Sequence, residues 1–154
     1  NYSDRKSSQF VGEYATKVAD MYVPYIRPEE NEHRTNVRWM ALGAKNGKGL
    51  LVVPTDKMEF NASNYLREDL DCGEDIHNGS PVKKDQVKRH ATDPRPQKLV
   101  DVFIDYRMTG VGGDNSWGAM PHEWNQVKTG QEINYGFSLV PYAKNFKPLI
   151  KQYK

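Results

Sequence analysis

The sequence predicts an all-β fold, an antiparallel β-sandwich, on three observations. Residues that favour strands dominate, because Val, Ile, Thr, Tyr, Phe and Trp number 41 against 16 for Ala plus Leu. That composition suits pleated, half-buried surfaces. Two segments, Leu99–Met108 and Ile133–Leu139, alternate apolar and polar residues with the period of two that turns one strand face toward a core. An Asn46-Gly47 pair stands between apolar runs, which is the turn chemistry of a β-hairpin.

Each element follows from local pattern. Val11–Val18 reads as a strand whose inner face is Gly12, Tyr14, Thr16 and Val18. Met21–Pro28 comes next as an extended edge or crossing loop, because Pro24 and Pro28 lack the N–H a central strand needs. Val37–Leu42 reads as one strand with Trp39 in the core, and Leu50–Val53 is its hairpin partner. Lys57–Asn61 is a further short strand, after which Ser63 or Asn64 caps a brief helix from Leu66 to Leu70. Asp71–Lys98 has only Cys72, Ile76, Val82, Val87 and Ala91 as apolar groups. It reads as an exposed, charged connection with room for a short strand over Val82–Val87. In Leu99–Met108 the inward set is Val100, Val102, Ile104 and Tyr106; in the last strand it is Ile133, Tyr135, Phe137 and Leu139.

Composition excludes several functions. No stretch approaches the roughly 18 apolar residues of a membrane-spanning helix, so no membrane partner is expected. The net charge of +2 is far from the basic footprint of a nucleic-acid binder. The lone Cys72 allows no internal disulfide and says little about compartment. The chain opens at Asn1 without a leader pattern, and is expected to be part of something longer. His33, His77, His90 and His122 lack metal-ligand spacing, so no metal site is expected. Lys83-Lys84 and Lys88-Arg89 are interleaved with Asp85 and Gln86 and read as a solvated face.

The chemistry concentrates in Gly110-Val-Gly-Gly-Asp-Asn-Ser-Trp-Gly118. Its glycines let the backbone enter positive φ and approach another surface. Asp114, Asn115 and Ser116 have side chains that bond nearby backbone N–H groups and stiffen a turn. Trp117 then stands on a short, ordered loop, where a flat aromatic makes a ligand platform suited to the C–H face of a sugar. The competing reading is that Trp117 plugs the end of the sandwich, the commoner fate of a tryptophan. A phosphate cradle is excluded, since no Gly-Lys-Ser/Thr follows the glycines. Trp124, after Pro121, fits either a rim or an interface.

This loop resembles a signature near the C-terminus of family 2 β-galactosidases of the large bacterial, lactose-hydrolysing type. The likeness extends to Tyr2-Ser-Asp-Arg-Lys6, Val23-Pro-Tyr-Ile-Arg-Pro28, Asn36-Val-Arg-Trp39, Phe60-Asn-Ala-Ser63, Asp105-Tyr106, His122 and Tyr135-Gly-Phe-Ser-Leu-Val-Pro141, all in the family's order. Residues 1–154 then resemble the later part of the last domain, the small chain. Such a chain would form part of a galactose mutarotase-like supersandwich.

The resemblance implies a division of labour. The family's two catalytic glutamates and its magnesium ligands lie on a separate (β/α)₈ barrel, so no catalytic residue, metal ligand or cofactor is expected here and the isolated chain should be inactive. Its partners would be the barrel of the same polypeptide, the galactoside substrate and a second copy in a homo-oligomer. Trp117 would bind substrate, while Gly112, Gly113, Asp114, Asn115 and Ser116 would shape the loop. Glu29-Glu30 are not a glycosidase pair. Retaining enzymes hold two carboxyls about 5–5.5 Å apart across a sugar, whereas neighbours in an extended segment point to opposite sides. The family usually reads Pro-Gln-Glu-Asn-Gly where this chain has Pro28-Glu-Glu-Asn-Glu32, so the turn there loses its glycine. The alternative reading is a stand-alone carbohydrate-binding or mutarotase-like module. Compartment, cytoplasmic or periplasmic, is left open.

Overall fold

The computed structural model describes residues 2–24, 31–70, 90, 92–115 and 117–153. Among the described residues six strands carry the fold: β1 (Arg34–Val37), β2 (Met40–Gly43), β3 (Lys48–Pro54), β4 (Met58–Ser63), β5 (Asp101–Asp105) and β6 (Phe137–Ala143). The α-helices are single turns or little more, α1 (Arg67–Leu70) and α2 (Lys147–Gln152). The strands form two three-stranded sheets, in the orders β1-β4-β5 and β2-β3-β6. This is the all-β, antiparallel sandwich class that the strand-forming composition predicts. Among the described residues no helix is long and apolar enough to cross a membrane. The chain folds as two compact units, one comprising Asn1–Val11, Arg34–Phe60 and Ile104–Lys154, the other Gly12–His33 and Asn61–Phe103.

In the first unit the β2–β3 hairpin forms where Asn46-Gly47 places it. Gly47 takes φ 81°, the Ala44 N–H donates to the Lys48 carbonyl at 2.8 Å, and the Lys48 N–H donates to Asn46 Oδ1 at 3.0 Å. β3 is the central strand and pairs antiparallel on both sides, with Leu51 opposite Ala41 and Val140. Leu51, Val53 and Val140 form a buried cluster against which Trp39, Tyr142, Phe146, Leu149 and Ile150 pack. Full burial of a side chain such as Leu51 contributes about 1.5–3 kcal/mol. The helix α2 that closes this face begins with Lys147 and Pro148, and proline is accepted there because the first-turn N–H groups have no helical partner. Asn145 Oδ1 accepts from the Lys147 N–H at 3.0 Å.

Four expected strands differ from those observed. Val37–Leu42 is not one strand. The chain leaves β1 at Val37 and enters β2 at Met40, in the other sheet. β1 pairs with β4 through Arg34↔Phe60 and Val37↔Met58, a shifted register, and Asn36 within it takes φ 55°. The extra residue of such a bulge bends the strand and re-aims the residues beyond it. Trp39 emerges from this corner onto Phe146, ring centroids 5.3 Å apart.

The strand expected over Ile133–Leu139 begins at Phe137 and runs on through Pro141 to Ala143. Its period is as read, but its phase is inverted: Val140 is buried opposite Leu51 while Leu139 is 53% exposed. Pro141 is accommodated because β6 pairs with β3 alone in the sheet order. Val11–Val18 forms no strand. Val11 and Tyr14 are more than two-thirds exposed and a 3-10 turn spans Val18–Asp20, since a face broken by Gly12 buries too little apolar surface to offset strand ordering. Leu99–Met108 contributes β5 over Asp101–Asp105, whose residues are all half-buried without alternation.

In the second unit, side-chain amides do what strand ladders do elsewhere. Asn31 accepts from the Val23 N–H at 3.1 Å and donates to the Val23 carbonyl at 2.6 Å. The turn at Asn31-Glu32 forms although its glycine is replaced, and Glu32 takes φ 65°, a left-handed backbone that costs a side-chain-bearing residue about 1–2 kcal/mol. His33 is fully buried with Nδ1 2.7 Å from Asn61 Oδ1. Asn61 Nδ2 donates to the Asn31 carbonyl, which leaves Oδ1 as the acceptor and puts the imidazole proton on Nδ1. Ser63 accepts from the Tyr65 N–H at 2.9 Å, a turn two residues long rather than the expected cap on α1. Tyr22 stacks on Tyr65 at 4.2 Å, and the Arg67 guanidinium lies 4.1 Å from the Phe103 ring centre. Glu29-Glu30, the strand expected over Val82–Val87 and all of the charged connection but His90 and 92–98 lie outside the described residues.

Candidate functional site

The loop from Gly110 to Gly118 lies in the first unit and is closed at its base by its two stems. The Gly110 N–H donates to the Asn125 carbonyl at 2.7 Å, and the Val127 N–H donates to Thr109 Oγ1 at 3.0 Å. Arg107 donates to the Trp124 carbonyl at 2.5 Å, and Gln126 Nε2 donates to the Pro121 carbonyl at 2.6 Å. The first three of these bonds tie the two stems together, and the last braces the C-terminal stem on itself.

Within the loop, Asn115 behaves as its residue type predicts. Its Oδ1 accepts from the N–H of Trp117 at 2.8 Å and of Ala119 at 3.3 Å, so one short side chain fixes the turn that carries the tryptophan. Gly112 takes φ 74° and passes so close to the Ala119 carbonyl that a Cβ would lie 2.3 Å from its oxygen. Only glycine satisfies both requirements. Gly113 also takes positive φ, at 100°. Trp117 is 91% exposed. It does not plug the fold. Ser116 lies outside the described residues.

Asp114 pairs with His122, Oδ2 and Nε2 lying 2.6 Å apart. The imidazole stacks on Trp124 at 4.5 Å with the rings 4° from parallel, and Trp124 is largely exposed. Asp4 reaches the loop from the other end of the sequence: its Oδ2 accepts from the Gly112 N–H at 2.7 Å, and Oδ1 from Arg5 Nε at 3.1 Å. Arg5 donates through its terminal guanidinium nitrogen to the Gly112 carbonyl. Burial pushes the Asp4 carboxyl up, but the Arg5 hydrogen bond, the amides of Gly112 and Val111 and the Arg5 charge together hold it below the ordinary carboxylate value.

Of the residues singled out from sequence, Trp117, Asn115, Gly112, Gly113 and Asp114 therefore sit on one ordered loop. Asp4, Arg5 and the pairing of Asp114 with His122 were not legible in local pattern. The only signal was that Tyr2-Ser-Asp-Arg-Lys6 and His122 belong to the resemblance. Among the described residues no group of three or more His, Cys, Asp or Glu is placed to hold a metal ion. A small cavity in the second unit, about 30 Å³ and lined by Asn31, Asn61, Ser63, Tyr65, Arg67, Leu70, Asp101 and Phe103, has the volume of about one water molecule, not of a sugar.

Fold and loop together define an all-β chain that presents an exposed aromatic on a braced loop. The model of the beta galactosidase small chain family matches residues 1–139. The chain is 29% identical to a beta-galactosidase of Priestia megaterium over 141 residues, 92% of this chain and 12% of that protein. It is 32% identical to a beta-galactosidase of Alteromonas mediterranea over 144 residues, 94% of this chain and 11% of that protein. A Vibrio cholerae beta-galactosidase is 30% identical over 122 residues, 79% of this chain and 10% of its own length. The chain belongs to the β-galactosidase small-chain family. It spans 10–12% of the length of these relatives.

Proposed function

We propose that this chain is the small-chain part of a retaining β-galactosidase, and that Trp117 completes a sugar site whose catalytic glutamates and magnesium belong to a (β/α)₈ barrel of the same polypeptide. The barrel, the galactoside and a second copy of the chain are the partners in this reading. Terminal β-galactosides would be hydrolysed through a glycosyl-enzyme intermediate formed on the barrel, with no proton transfer assigned to this chain. The observation that carries the reading is the 91% exposure of Trp117 on a loop ordered by Asn115, Asp4 and Arg5. An indole in that state gains area on contact without first being pulled from a core, and the backbone that carries it is already held by Asn115, which lowers the cost of binding. The match to the beta galactosidase small chain family over residues 1–139 favours a part of an enzyme over a stand-alone module.

The test is Trp117→Ala in the full-length polypeptide. Loss of one aromatic platform is expected to raise KM about tenfold, roughly 1.4 kcal/mol, with a smaller change in kcat. Unaltered KM and kcat would reject the platform. Turnover of a chromogenic galactoside by residues 1–154 alone would reject the division of labour.

A further inference from the structure

We infer that Asp4 and Arg5 are positioning residues for Trp117, acting through the backbone of Gly112; the inference rests on the reading of Trp117 as a sugar platform. Gly112 stands 108 positions from Asp4 and 107 from Arg5, yet both its backbone groups are taken by their side chains. The Asp4 carboxylate accepts from its N–H at 2.7 Å, and the Arg5 guanidinium donates to its carbonyl. The two side chains are themselves joined, Arg5 Nε to Asp4 Oδ1 at 3.1 Å, and the Asp4 side chain is only 9% exposed. A local turn, in which the Arg5 N–H donates to the Tyr2 carbonyl at 3.0 Å, holds the pair together.

The fit is specific at two glycines. A Cβ at Gly110 would lie 2.4 Å from Asp4 Oδ2, so the first glycine of the motif makes room for the carboxylate. Gly112 supplies the positive φ that presents both backbone groups to the brace. Charge-assisted hydrogen bonds of this kind are about twice as strong as neutral ones, and together they hold the two peptide units that flank the Gly112 Cα. Asn115 orders the Trp117 turn from within. Asp4 and Arg5 hold the Gly112 backbone from outside the loop.

The experiment compares Asp4→Ala, Asp4→Asn, Trp117→Ala and the double variant Asp4→Ala/Trp117→Ala in the full-length polypeptide. It reads galactoside kinetics and amide hydrogen exchange over residues 110–118. Asp4→Ala is expected to speed exchange at Gly112 and to raise KM about tenfold with kcat within about twofold, the signature of lost ground-state binding. Asp4→Asn keeps an oxygen that accepts from Gly112, and should recover most of the KM. In the Trp117→Ala background, Asp4→Ala should raise KM no further, since the group it positions is gone. If Asp4→Ala speeds exchange and leaves KM unchanged while Trp117→Ala raises it, the positioning role falls and the platform stands. A full additive loss in the double variant, or equal falls in kcat for every variant, also overturns positioning in favour of a general folding role. If Trp117→Ala changes nothing, the platform reading fails instead, and unchanged Gly112 exchange in Asp4→Ala would sink the brace on its own. Should Asp4→Ala fail to fold, Arg5→Lys, which alters the donor to the Gly112 carbonyl, carries the same comparison alone and with Trp117→Ala.

Discussion

The Asp114 carboxylate and the His122 imidazole meet 2.6 Å apart across the mouth of the Trp117 loop. Both side chains are half exposed or more, so water and salt screen the pair, and such contacts are typically worth 0–1 kcal/mol. His122→Ala is therefore expected to lower stability by less than about 1 kcal/mol while speeding amide exchange at residues 114–119. Thermal melts and exchange on the same variant separate the two effects. A large loss of stability with unchanged exchange would contradict this account.

Asp4 makes a prediction about acid. Its folded-state carboxyl lies below the ordinary value, so the unfolded chain binds the proton more readily than the folded one. The stabilisation is fully present above the ordinary carboxylate range and is lost as pH falls through the lowered folded value. The difference in melting temperature between the parent chain and Asp4→Asn should be constant near neutrality and shrink steadily below the carboxylate range. A difference that grows on acidification would mean that the sign is wrong.

Two glycines of the loop separate strain from collision. Gly118 takes φ 82° and a Cβ there would meet nothing within 4 Å, whereas Gly112 adds a contact of 2.3 Å with the Ala119 carbonyl. Gly118→Ala should cost about 1–2 kcal/mol, the left-handed penalty alone. Gly112→Ala should cost more and dislodge the loop, visible as faster exchange at Trp117. Equal costs would show that the backbone relaxes around the new methyl group.

The inverted phase of β6 is testable by truncation. Leu51 is fully buried and Leu139 half exposed on paired strands. Leu51→Ala should destabilise by about 2–5 kcal/mol. Leu139→Ala should cost no more than about 1 kcal/mol, as for an exposed position. Denaturant titration decides, and a larger effect at Leu139 would restore the phase that alternation suggests.

Local chemistry was legible in this sequence where the cause is local. Asn46-Gly47 turns, Asn115 fixes its own turn, and strand-forming residues make strands. Alternation could not supply phase, because the inward face of β6 is chosen by its register against β3, through Leu51↔Val140, and not by its own pattern. The corner between Val37 and Met40 was hidden for a similar reason: Asn36 tolerates a left-handed backbone, but only the pairing of β1 with β4 demands it. At the site, the loop was readable and its supports were not. Asp4, Arg5 and His122 are ordinary polar residues until the fold brings them to Gly112 and Asp114.

Gly136 bears on the order in which the chain assembles. Its carbonyl accepts from both the N–H of Thr55, at 2.9 Å, and the Thr55 hydroxyl, at 3.1 Å, across 81 positions of sequence. The β2–β3 hairpin closes over a short turn, but β6 reaches β3 only after a long loop has surrendered its freedom, and that entropy precedes any reward from pairing. Thr55 and Gly136 adjoin Pro54↔Phe137, the end pair of the β3–β6 ladder, so their two bonds close that end of it. Folding of the central sheet should accordingly be slow relative to its hairpin.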